Sequence, residues 1–346
     1  MTSSEQKSYD LCRLHAAVGD TSGEEVGAWQ VLSVFGDDSE RFLQSQMTAD
    51  VAALDACRWG LSALCDAKGR VQAVLHLCRV DRGFILLVPA EIAQDVEQRL
   101  RCFILRAKVV VAEVKARQWG IMGYGAAARL ETAGFRVPST DDRGFSAEDR
   151  AWVMRYPGSL PRFRVVCAQA GASGGADALG GELANASRSL DAFDSAHPAG
   201  ERWWWMAQDI CAGMPIVRPA TRELWIPQAL NLDLLSGVSF TKGCYMGQEV
   251  VARVQHLAEA KRRMLRARVG ASDAPPANTP VFGRDGSTWR KIGAVVDAVA
   301  GPDGCELLVT APFPLEHEVS LRLGDPNGLP MDRVELPYSL EARVDG

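Results

Sequence analysis

Ten consecutive residues, Phe240-Thr241-Lys242-Gly243-Cys244-Tyr245-Met246-Gly247-Gln248-Glu249, bring a cation, a thiol, two glycines and a carboxylate together. Such dense polarity beside glycines marks a site. A helix that begins at Gly247 or Gln248 and runs through Val250, Arg253 and His256 puts Cys244 just ahead of its N-terminus, where the partial positive charge and Lys242 favour a thiolate. A thiol so placed acts as a nucleophile, a redox centre or a cluster ligand. The competing reading, which residue types alone favour, is a free cysteine serving as a small buried hydrophobe.

Trp203, Trp204 and Trp205 stand in a row, so on a helix they point about 100° apart and at least one is semi-exposed. A flat aromatic surface suits a stacking heterocycle as well as it suits a domain interface. The run AKRRMLRAR gathers Lys261, Arg262, Arg263, Arg266 and Arg268, a patch for an RNA backbone or an anionic tail, or else a solvated strand face. Gly120, Gly123 and Gly125 read G-x-x-G-x-G, the wrong spacing for a dinucleotide fingerprint, and are taken as a tight strand-to-helix turn. The five histidines never fall at metal-ligand spacing and the nine cysteines include no C-x-x-C, so no metal site is expected and the thiols read as reduced.

The elements that must position these residues follow from periodicity. With 346 residues, 47% hydrophobic and 23% charged, the chain has enough apolar material for two or three folded domains and is neither disordered nor fibrous. No apolar run reaches the ~18 residues that cross a bilayer, and the start MTSSEQKSYD resembles no signal peptide, which predicts a cytoplasmic protein without a membrane partner. The net charge of -5 argues against a general nucleic-acid coat. Residues 1–25 lack periodicity and read as a flexible tail. AWQVLSVFG alternates as a strand, DDSERFLQSQMTADV opens a helix that buries Phe42, Leu43 and Met47, and RWGLSALCDAKGRVQAVLHLCRVDRGFILLVP gives two or three strands with turns at Ala67-Lys68-Gly69 and Asp81-Arg82-Gly83. AEIAQDVEQRLRCFIL, GAAARLETAG and ERWWWMAQDICAG read as helices, KVVVAEVKARQWGIMGY as two strands, and AQAGASGGADALGG as a linker. The fold class is α+β, with an N-terminal domain over 26–115, a middle domain over 116–255 that ends in the thiol motif, and an all-β barrel over 256–346.

KGCYMGQEVVAR at 242–253 resembles the signature of the YgfZ family of folate-binding proteins, relatives of the glycine-cleavage aminomethyltransferase. The resemblance extends through CDAKGR, ICAGMPIV, IPQALNLDLLSGVSF and LPYSLEA. It implies an aminomethyltransferase-like fold of two α+β domains around a central folate site plus a C-terminal β-barrel. It also implies tetrahydrofolate or a one-carbon-substituted reduced folate as cofactor. The family's folate-contacting tryptophans fall on Trp29 and Trp205, and its functional lysine and cysteine on Lys242 and Cys244, the residues cast as catalytic. Gln228, Asn231, Tyr245, Gln248, Glu249 and Arg253 match the remaining binding positions. The implied role is support of iron–sulfur cluster assembly or repair, with iron–sulfur enzymes or assembly factors as partners and an indirect or weak link to transfer RNA through thiolating enzymes.

Two positions depart from the relatives. The aminomethyltransferases carry an acidic pair after the glycine-rich turn, whereas Gly69-Arg70-Val71 is followed by Gln72-Ala73-Val74. Proton transfer commonly contributes about 10²–10⁴ in rate, so the loss argues against transferase chemistry. Cys211 replaces the usual glutamate of ICAGMP, which removes a charge-assisted contact to the pterin. A folate-dependent aminomethyl or methyl transferase, or a demethylase, stands as the alternative activity, and an RNA-binding module using Lys261 to Arg268 as a third.

Overall fold

The computed structural model describes residues 22–25, 29–138, 143–148, 151–169, 203–257, 260–285, 288–316 and 319–341. The strands are β1 (Ser22–Glu25), β2 (Trp29–Phe35), β3 (Trp59–Cys65), β4 (Val71–Val80), β5 (Gly83–Pro89), β6 (Val110–Val114), β7 (Ala116–Met122), β8 (Phe145–Glu148), β9 (Ala151–Tyr156), β10 (Arg162–Ala168), β11 (Arg262–Val269), β12 (Pro280–Asp285), β13 (Thr288–Gly301), β14 (Gly304–Pro312), β15 (Leu321–Leu323) and β16 (Pro330–Val334). The helices are α1 (Ser39–Gln46), α2 (Ala90–Cys102), α3 (Ala126–Thr132), α4 (Trp203–Cys211) and α5 (Gln248–Leu257).

Two five-stranded sheets, in orders β3-β4-β5-β2-β6 and β1-β7-β10-β9-β8, precede a closed six-stranded barrel, β11-β14-β13-β12-β15-β16. Contacts divide the described residues into two compact units. One takes the described residues up to Leu43, Val51–Gly60 and those from His76 to residue 169, and the other takes Gln44–Asp50, Leu61–Leu75 and those from Trp203 onward. The chain leaves the first sheet at Val114 and enters the second at Ala116.

Local sequence accounts for these elements. Helix α2 buries Ile92, Val96 and Leu100 at a spacing of four, with Glu91 in its first turn and Arg99 and Arg101 in its last, as the helix dipole favours. In the second sheet, Phe163 and Val165 of β10 enter a core with Trp119, Ile121 and Leu130. Strand alternation therefore sends Arg162 and Arg164 to the opposite face. The barrel interior is filled by Leu265, Ala267, Val295, Leu307 and Val309.

Two of the expectations change on the structure, one holds and one falls outside the described residues. Ser22–Glu25, taken as part of a tail, pairs antiparallel with Trp119–Met122. Backbone hydrogen bonding at a sheet edge needs no side-chain periodicity, so the polarity of this segment did not forbid it. The glycine-rich segment forms the expected turn, with the Ala126 amide donating to the Gly123 carbonyl at 3.1 Å. The candidate linker lies outside the described residues beyond Gln169.

The basic run is no anion patch. Arg263 Nη1 meets both carboxylate oxygens of Asp233 at 2.7 and 2.9 Å, the two side chains being 4% and 5% exposed. Glu306 receives Arg266 at 2.9 Å and also pairs with Arg268, which stands directly opposite it across β11 and β14. Arg262 donates to the Ile292 carbonyl. These contacts direct the guanidiniums inward and remove the observation on which RNA binding rested. Among the described residues no helix is long and apolar enough to cross a membrane.

Removing one member of a buried ion pair leaves an uncompensated charge. Arg263→Met is expected to lower unfolding free energy by about 3–5 kcal/mol in chemical denaturation. Adding Asp233→Leu should recover most of that loss, and an additive double variant would contradict the pairing.

Candidate functional site

The CDAKGR turn is built around Asp66. Its Oδ1 accepts the amides of Lys68 at 2.9 Å and Arg70 at 2.7 Å, and its carbonyl accepts that of Gly69 at 3.0 Å. Gly69 adopts φ +71° and Gly247 φ +81°, conformations that glycine reaches without steric cost. A side-chain carbon at Gly247 would lie 2.4 Å from the Asp66 carbonyl oxygen and 2.8 Å from Gly69 Cα. The two motifs, far apart in sequence, therefore interlock through a pair of glycines.

Helix α5 begins at Gln248, one of the two expected starts. Gln248 Oε1 accepts the Tyr245 amide at 3.3 Å while its own amide donates to the Tyr245 carbonyl at 3.2 Å. Cys244 precedes this junction and is exposed, contrary to the reading of a buried small hydrophobe. Glu249 and Arg253 are also exposed, on the first turns of the helix. Tyr245 is 7% exposed, and its hydroxyl has no hydrogen-bond partner among the described residues. Burial and the neighbouring Cys65 thiol push that phenol above its ordinary range.

Lys242 does something that its position in the motif does not announce. Its Nζ donates to the carbonyls of Gln44 at 2.7 Å, Met47 at 2.9 Å and Ala49 at 2.8 Å. Burial pulls this ammonium down to about 8, and Asp50 works the other way. The ammonium also lies 5.4 Å from the Tyr245 ring centroid. All three of its donors are thus engaged by carbonyls, so the expected pairing with the Cys244 thiolate is not the contact the side chain makes.

Gln228 and Asn231 hold the motif upstream. Gln228, in the 3₁₀ turn Pro227–Leu230, donates from Nε2 to the Val251 carbonyl at 2.7 Å, and its buried Oε1 has no partner among the described residues. Asn231, at φ +57°, exchanges two hydrogen bonds with the Met264 backbone at 2.8 and 3.1 Å. Its Nδ2 also reaches the Tyr338 hydroxyl at 3.3 Å, and that hydroxyl donates to the Gly213 carbonyl at 2.8 Å. ICAGMP, PQ-x-x-N and LPYSLEA are joined through this one tyrosine. Trp205 is buried beside Trp204 at 5.8 Å and 71°, so Trp203 is the semi-exposed member of the row. Cys211 ends α4 half-buried.

Trp29 belongs to the other unit and to a cluster that the sequence did not reveal. Its ring stacks on His76 at 4.4 Å and 26°, and its carbonyl accepts Gln118 Nε2 at 2.5 Å. His76 Nδ1 shares a 2.8 Å hydrogen bond with the Tyr156 hydroxyl, and Trp59 lies 4.7 Å from both of those rings. The Arg164 guanidinium sits 5.5 Å from the Trp29 ring and donates to Gln118 Oε1 at 3.1 Å. Burial first, then Arg164, Arg143 and Arg162, hold the imidazole well below its ordinary range, so it is neutral at pH 7. The available signal was the i, i+2 spacing of Arg162 and Arg164, which puts two guanidiniums on one strand face.

No family model matches the chain. Among solved structures it is similar to the glycine cleavage system aminomethyltransferase T from Bartonella henselae, with a TM-score of 0.70 and 17% identity over 95% of this chain and 89% of that one. The heterotetrameric sarcosine oxidase from Corynebacterium sp. U-96 aligns with a TM-score of 0.31 and 14% identity over 55% of this chain and 96% of that chain. The chain has the aminomethyltransferase fold, α+β with a closed barrel at its C-terminal end.

The geometry sets the expected behaviour of three variants. Gly247→Ala should cost more than about 2 kcal/mol in chemical denaturation, since strain and clash combine. Gly243→Ala, where an added carbon meets nothing within 4 Å, should stay within about 0.5 kcal/mol. For His76, the unfolded chain takes up a proton near pH 6.5 that the folded chain refuses, so this residue's contribution is present above that pH and is lost as pH falls below it. Urea midpoints between pH 7.5 and 5 should fall less steeply for His76→Gln than for the wild type.

Proposed function

We propose that the protein binds a reduced folate and uses the exposed Cys244 thiol to support iron–sulfur cluster assembly or repair, and through it enzymes that thiolate transfer RNA. The observation that carries this reading is the presentation of Cys244, exposed between buried Lys242 and Tyr245, on a chain with the aminomethyltransferase fold. An iron–sulfur cluster or its sulfur is cargo in this reading, and the thiolate is the form that would hold either.

Whether the residues suit a folate is tested by their unsatisfied polar atoms. Gln228 Oε1 and Gln208 Oε1 are buried acceptors and the Tyr245 hydroxyl a buried donor, each without a partner among the described residues. Buried polar groups ordinarily find partners, and a pterin offers both N–H donors and a carbonyl acceptor. In this reading those atoms would meet the pterin, with Trp205 as an aromatic surface and Gln248, Glu249 and Arg253 as the polar groups at the start of α5; Trp29 enters through the resemblance alone. When bound, a reduced folate supplies a one-carbon carrier. Asn231 acts here by holding the Gln228 turn against β11.

One contact favours the transferase alternative. Gln72 stands just after the glycine turn, where the resemblance calls for an acid, and its Nε2 donates to Glu223 Oε1 at 2.8 Å. A carboxylate is therefore delivered beside β4 from a residue held at φ +62°.

Calorimetric titration with tetrahydrofolate under anaerobic conditions should give saturable binding. Trp29→Ala and the volume-sparing Trp205→Phe should each weaken it, Trp29→Ala by roughly tenfold. Absence of binding at millimolar ligand would remove folate from the reading. Turnover of methylenetetrahydrofolate with an amine acceptor, abolished by Glu223→Gln, would install the transferase in its place.

A further inference from the structure

The three carbonyls that receive Lys242 belong to one short stretch. Gln44 lies in the last turn of α1, where helix carbonyls lack intrahelical partners and a cation is favoured by the negative end of the dipole. Met47 bridges to Leu64, and the Ala49 amide donates to Ser62 Oγ at 3.1 Å, so the stretch is itself fastened to β3. A second strap joins the same two regions. Thr48 Oγ1 donates to the Gly237 carbonyl at 2.6 Å, and the Ser239 amide donates to the Thr48 carbonyl at 2.9 Å. An ammonium has three donors and no acceptor, so the contacts to Gln44, Met47 and Ala49 exhaust it.

We propose that Lys242 is a positioning residue for Cys244, a clasp whose ammonium fastens the Gln44–Ala49 carbonyls to the thiol loop and takes no part in proton transfer. The thiol's setting then depends on chain 198 residues earlier in the sequence. While all three of its N–H bonds are given to carbonyls, the lysine presents no lone pair toward Cys244 to act as base or nucleophile. A side-chain carbon added at the neighbouring Gly243 would face open space, so on this side of the loop the buried side chains that flank the exposed cysteine are Lys242 and Tyr245. The inference rests on reading Cys244 as the functional thiol.

The test is a graded series in the full-length protein, Lys242→Arg, Lys242→Gln and Lys242→Met. Arginine keeps the charge and five donors, glutamine keeps two neutral donors, and methionine keeps only the stem. Amide exchange should show Gln44–Asp50 and Thr241–Gly247 losing protection together, by about tenfold or more for glutamine and further for methionine. Arginine should stay within about threefold of the wild type. Iodoacetamide labelling of Cys244, read from its peptide mass, should change in the same order. Should methionine prevent folding, the arginine and glutamine variants still decide the matter. A flat series, or loss of protection in only one of the two segments, overturns the clasp. So does an arginine variant with wild-type protection and labelling that fails to support iron–sulfur enzymes in a cell lacking the protein, because the lysine would then have a chemical role. Full support by Cys244→Ala would instead sink the reading of the thiol, an outcome separate from the exchange results.

Discussion

The thiol loop is located by the approach of two glycine backbones. Gly247 comes so near Gly69 and the Asp66 carbonyl that a single added carbon would overlap main-chain atoms, which cannot move aside as a side chain can. Helix α5 starts one residue later, so its first turn is registered to the CDAKGR turn. Gln228 is then registered to the helix through the Val251 carbonyl, and Arg263 of the barrel to Gln228 through a 2.9 Å bond to its carbonyl. A run of short, directional contacts thus leads from a β-turn to a barrel strand, and each contact is specific to the residue that makes it.

The protein handles buried charge in contrasting ways. Arg263 and Arg266 keep their charge because carboxylates meet them at hydrogen-bond distance. Lys242 keeps its charge with neutral partners, carbonyl dipoles at a helix end. His76 loses its charge, since burial and three guanidiniums all act in the same direction. Arginine suits the first arrangement by its planar fork, lysine the second by its compact ammonium, and histidine the third by a proton affinity low enough to give up.

Local patterns were legible in the sequence. The start of α5, the hairpin at Asp81-Arg82, the amphipathic α2 and the barrel all follow from spacing over a few residues, and the chain has the aminomethyltransferase fold that the resemblance implied. What stayed hidden depends on partners without a sequence signature. The carbonyls that bind Lys242 are backbone groups, alike in every residue, so a motif lysine beside a cysteine read as a chemical pair. Arg266 and Arg268 read as a basic patch because nothing local places Glu306 across from them. His76 acquires its meaning only when β3, β4, β9 and β10 bring Trp59, Tyr156 and Arg164 to it. Cys244 defied the frequency of its residue type because a glycine precedes it and its buried neighbours leave it outside.

The tyrosine that joins Asn231 to Gly213 also has a consequence for synthesis. Tyr338 lies 107 residues after Asn231, so the turn carrying Gln228 and Asn231 cannot acquire its full set of hydrogen bonds until those 107 further residues have been made. At ribosomal rates of about 5–20 residues per second, that is a delay of roughly 5–20 s during which the nascent Asn231 turn is without the tyrosine hydroxyl. The motif region therefore completes its hydrogen bonds late, and a chain that stops short of residue 338 lacks the bridge between Asn231 and Gly213 however well its first sheet has folded.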